Sequence, residues 1–90
     1  MAKTFNTPIE ATEVMHELVR DLNRLPYNPD LLRMYTNIKR MVNDLSKLEV
    51  SARNSPARSK YRDEYSQKRE DILAAIKQLE NFMLIARLMA

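Results

Sequence analysis

The sequence predicts an all-α fold, a three-helix antiparallel bundle/hairpin with a long third helix whose C-terminal end overhangs. Three observations carry this reading. Thr7-Pro8, Asn28-Pro29 and Ser55-Pro56 each place a good N-cap residue directly before a proline. Proline suits the first helical position, where its missing N–H has no partner to lose. The 90 residues contain no glycine, so nothing between these points invites a positive φ. Within each segment the apolar residues recur at alternating spacings of three and four, the signature of one helical face. One domain over 1–90 is expected, with helices at about 8–25, 29–52 and 56–89.

The first helix starts at the Thr7 cap, and Glu10 stands where the acidic partner of a capping box belongs. Ala11, Met15, Leu18, Leu22 and Leu25 form its apolar stripe, widened by Val14 and Val19. Pro26 ends it, because the residue before a proline is pushed out of the α region.

The second helix begins at Asn28-Pro29-Asp30, with the aspartate favoured by the positive end of the helix dipole. Leu31, Met34, Ile38, Met41, Leu45, Leu48 and Ala52 make a coiled-coil-like seam. Tyr35 and Val42 flank that seam, so this helix should touch two neighbours.

The third helix starts at Ser55-Pro56 and meets no breaker. Its expected seam is Tyr61, Tyr65, Lys68, Ile72, Ala75, Leu79, Phe82, Ala86 and Met89. Lys68 stands among apolar positions; there a lysine either specifies register or carries its ammonium out to water or a carboxylate. The second alternative is favoured.

Short connections favour antiparallel neighbours. If the third helix folds back from the Ala52/Pro56 corner, Leu79 lands opposite Pro29 and everything from Glu80 onward overhangs. The first helix is not expected to cover that overhang. Yet the segment from Phe82 to Ala90 is apolar nearly all round, and such a helix is normally buried. Phe82, Met83, Ile85, Leu88 and Met89 are therefore the candidate protein interface, facing a second copy of the chain or a partner protein helix. The competing reading is that the third helix kinks or shifts and packs this end into its own core.

The charge pattern offers a second candidate. Net charge is +3 at pH 7, with a sequence pI near 9.4. The corner from Ser51 to Arg69 holds Arg53, Arg58, Lys60, Arg62, Lys68 and Arg69, with Tyr61 and Tyr65 interleaved. Cations beside aromatic rings suit phosphates and stacked bases, so nucleic acid is the alternative partner. The plainer reading is a solvated helix surface whose tyrosines pack on Leu45 and Leu48.

Other chemistry is poorly served. Glu13 and His16 have the E-x-x-H spacing of di-iron bundles, but the motif occurs once and those sites need it twice with two further carboxylates. Without glycine no loop of the type that cradles phosphates can form, and without cysteine there is neither disulfide nor thiolate. No catalytic residue, cofactor or metal is expected, and the chain reads as a non-enzymatic interaction module or small adaptor. The composition, 44% hydrophobic and 30% charged, is that of a folded soluble protein. No apolar run is long enough to span a bilayer. A cytoplasmic location is the expectation.

Overall fold

A computed structural model describes residues 4–54 and 58–89, the side chains of 58 and 59 aside. It contains three helices: α1 (Pro8–Leu22), α2 (Pro29–Arg53) and α3 (Arg58–Met89). The molecule is a rod of 52 × 18 × 17 Å. At 1.5 Å per residue, the 32 residues of α3 run nearly its whole length.

Two of the proline-marked starts are built as the sequence demands. Thr7 Oγ1 accepts from the Glu10 N–H at 3.3 Å. Asn28 Oδ1 accepts from the N–H groups of Asp30 and Leu31 at 3.0 and 3.3 Å. The capping box is shifted by one residue, because Glu10 Oε2 accepts from the N–H of Asn6 at 3.0 Å rather than from that of Thr7. The Ser55-Pro56 start lies outside the described residues.

α1 stops at Leu22, three residues short of Leu25. Arg24 and Leu25 bond instead to Asp21 and Leu22, three residues back, at 3.1 Å each. This tightened turn is what remains when Pro26 bars Leu25 from continuing the α-helix.

α2 and α3 are antiparallel, with Lys68 beside Asp44 and Tyr61 beside Ala52. α1 lies antiparallel to α2: Pro8 and Thr12 border Val42 and Ser46, and Leu22 borders Leu32. One core joins the three, from Phe5 and the α1 stripe through Leu31, Ile38, Val42 and Leu45 to Ile72, Ile76, Leu79 and Met83.

The register corrects one expectation. The Asp44–Lys68 pairing, carried along both helices, sets Met83 rather than Leu79 opposite Pro29. The overhang therefore begins near Leu84, one turn later than Glu80. The cause is the corner, which separates the end of α2 at Arg53 from the start of α3 at Arg58. α1 also reaches further than expected, since Leu18 and Asp21 share a small cleft with Met83, Leu84 and Arg87.

The buried face of α3 differs from the expected seam below Ile72. It follows Ile76, Leu79 and Met83, with Ala75 only partly buried and Phe82 exposed. A helix facing two neighbours centres its buried arc between them, a rotation that the three-and-four spacing of its own apolar residues does not show. Among the described residues no helix is long and apolar enough to cross a membrane.

Candidate interaction surfaces

The last two turns of α3 are apolar on opposite faces. At 100° per residue, Met83 and Ala86 continue the arc set by Ile72, Ile76 and Leu79, and both pack on the core. Phe82, Leu84, Ile85, Leu88 and Met89 occupy the other side and are exposed, from 44% at Phe82 to 83% at Met89. Of the five residues expected to meet a partner, Met83 is committed to the chain's own core at 5% exposure. The other four share one bare face. Leu84, 53% exposed and not among the five expected residues, joins them. Its signal was the absence of any polar residue between Phe82 and Ala86.

The exposed fractions amount to about 600 Å² of apolar surface, taking roughly 200 Å² for a fully exposed large side chain. That is the upper end of what a monomer ordinarily displays in one patch.

The basic corner is largely spoken for. Arg69 Nε donates to the Phe5 carbonyl at 2.9 Å and one terminal nitrogen donates to Asn6 Oδ1 at 3.0 Å. Lys68 Nζ lies 3.7 Å from Asp44 Oδ2 with its side chain 34% exposed, the outward-reaching posture favoured from the sequence. Arg53 pairs with Glu49 at 3.2 Å. Lys60 and Arg62 are exposed. The side chain of Arg58 lies outside the described residues.

The two tyrosines of the corner are half-buried rather than splayed out for stacking. Tyr65 packs against the core and its hydroxyl donates to the Asn6 carbonyl at 2.9 Å. Burial, then the Glu49 carboxylate, hold its phenol above the usual tyrosine range, against a smaller opposing effect of Arg69. Between the helices at this end lies a shallow open recess of about 600 Å³, lined by Glu49, Ala52, Arg53, Tyr61, Arg62 and Tyr65. Sequence reasoning missed it, because it exists only where α1 stops short of the hairpin tip.

Glu13 and His16 are exposed on α1. Among the described residues no three His, Cys, Asp or Glu side chains converge as a metal site requires. Comparison of the chain with protein-family models, curated proteins and solved structures finds no match.

Proposed function

We propose that this chain is a non-enzymatic helical interaction module, which self-associates or docks on a partner helix through the outer face of α3. The supporting observation is the bare arc of Phe82, Leu84, Ile85, Leu88 and Met89, set against a core-facing arc on the same two turns. Two such patches brought together would remove about 1,200 Å² from water, the lower bound of a stable specific interface. Methionine and leucine side chains suit this mode, since an apolar helix face laid in a groove must adapt to its shape.

The rival is a nucleic-acid-binding accessory protein using the corner 51–69. Its support is thinner, because Arg53, Lys68 and Arg69 already hold partners within the chain. Phosphate contacts would have to come from Lys60, Arg62 and Arg58.

The test is a pair of double variants followed by light scattering and by binding to a labelled oligonucleotide. Phe82→Asp with Leu88→Asp should dissociate the assembly while leaving helix content intact. Lys60→Glu with Arg62→Glu should leave retention of nucleic acid unchanged at background level. Salt-sensitive oligonucleotide binding, lost in the second variant, would favour the rival.

A further inference from the structure

The hairpin of α2 and α3 has two grooves, and α1 fills one of them. On α2 it borders Val42 and Ser46, and on α3 it reaches Met83 and Arg87. The opposite groove is crossed by the Asp44–Lys68 bridge and carries apolar residues that the core leaves over. Met34, Met41 and Leu48 recur every seven residues on α2, as Ala75 and Phe82 do on α3. Seven residues return to within about 20° of the same line, so each set runs as a stripe along its helix. All five keep surface in water, from the half-buried Met34, Met41, Leu48 and Ala75 to Phe82 at 44%. Toward the hairpin tip the α3 side of this groove turns charged, with Glu64, Lys68 and Asp71, and Arg40, Asp44 and Lys47 flank it on α2.

We infer that a second copy of the chain packs on this groove, groove to groove, about a two-fold axis running along the rod. The pair encloses a core of four helices, each antiparallel to both neighbours, as in an up-down four-helix bundle. Charge fixes the partner and its direction. In the register set by Asp44 and Lys68, Arg40 stands level with Asp71 and Lys47 with Glu64. A two-fold along the rod lays α2 of one copy beside α3 of the other at equal height. Arg40, Asp44 and Lys47 then meet Asp71, Lys68 and Glu64, opposite charges at all three levels. A two-fold across the rod would instead lay α2 on α2 and α3 on α3, bringing Arg40 against Lys47 and Glu64 against Asp71. Like charges so placed disfavour that mode.

The area suffices. At 1.5 Å per residue α2 is about 37 Å long, and the rod is 18 Å wide. That footprint of about 650 Å² on each copy gives about 1,300 Å² for the pair, within the range of a stable specific interface. The contact is isologous and closes at two copies. It is a second surface beyond the α3 end: the two share Phe82, and Ile85 and Leu88 stay outside the groove. Charge reversal tests both surface and direction at exposed positions. One variant carries Arg40→Glu with Lys47→Glu, the other Glu64→Lys with Asp71→Lys. Circular dichroism verifies that each folds, and Lys47→Glu and Glu64→Lys alone serve if the double variants do not.

The unmodified chain should sediment as a dimer, and each variant alone should dimerise at least about tenfold more weakly. An equimolar mixture should restore the dimer, because the reversed α2 then meets the reversed α3 while the two natural faces meet each other. If either variant dimerises like the unmodified chain, or the mixture does no better than its parts, the groove pairing is overturned. Leu88→Asp separates that failure from failure of the α3 end: assembly lost in Leu88→Asp and kept in the charge variants makes the α3 end the interface. If the unmodified chain is monomeric at every concentration, the groove dimer falls, and with it self-association through the α3 end.

Discussion

Arg69 Nε and the carbonyl of Phe5 are hydrogen-bonded at 2.9 Å across 64 residues of sequence. The bond ties the segment before α1 to the middle of α3. The same guanidinium holds Asn6 Oδ1, and Tyr65 one turn earlier holds the Asn6 carbonyl. Three bonds thus pin a stretch that inserts Phe5, 1% exposed, into the core. Because α1 is short, this pin and Phe5 fix where it lies on the hairpin.

Replacing Arg69 by alanine should lower stability by about 1.5–3 kcal/mol, the usual worth of hydrogen bonds to a charged group. Arg69→Lys should recover little, since an ammonium is a single point and cannot serve two acceptors in a fixed fork. Urea unfolding followed by circular dichroism measures both. Equal stability of the alanine variant and the unmodified chain would mean that Phe5 and the Tyr65–Asn6 bond hold the segment without Arg69.

Phe5→Ala empties a fully buried site and should cost about 3–5 kcal/mol. A domain of this size has only about 5–15 kcal/mol in all. The variant should therefore unfold at distinctly lower urea, and Phe5→Leu should restore most of the loss. A melt unchanged in Phe5→Ala would contradict the core placement.

Much of the fold was legible in residues with local jobs. Thr7 and Asn28 act on their own neighbours, so the first two helix starts could be read from spacing alone; the first stop was read three residues late, because Pro26 tightens the turn before it as well as ending the helix. The α2 seam was legible because one face of Leu31, Ile38 and Leu45 meets both partners. Phe5 and Arg69 were not legible as a pair, since their contact depends on how α1 sits on the hairpin. The candidate face was legible in part. Composition marked the apolar end of α3, but assigning Met83 to the core needed the true register, which a one-turn shift at the corner decides.

Lys68 reaches Asp44 at a half-exposed site, and such pairs contribute little. Lys68→Met should change stability by less than about 1 kcal/mol, in either direction, because methionine keeps the apolar stem over the core. A loss several times larger, reversed by also replacing Asp44 with alanine, would show that the pair fixes register.

Alkaline stability should report on Tyr65. Its phenol is held above the ordinary value of 10.0 by burial and by Glu49. The unfolded chain therefore releases this proton first as pH rises. The contribution is fully present below pH 10 and declines as pH climbs from there through the folded value. Tyr65→Phe should flatten the loss of stability above pH 10 relative to the unmodified chain, measured by urea unfolding at successive pH values. An identical decline in both would remove Tyr65 as the cause.

The most direct test of the docking face is the solution mass of the unmodified chain, measured by sedimentation equilibrium from micromolar to millimolar concentration. The account predicts a mass that rises with concentration and returns to one chain when Phe82 and Leu88 are both replaced by aspartate. A single-chain mass throughout, with Phe82 and Leu88 tolerating aspartate silently, would contradict self-association through α3.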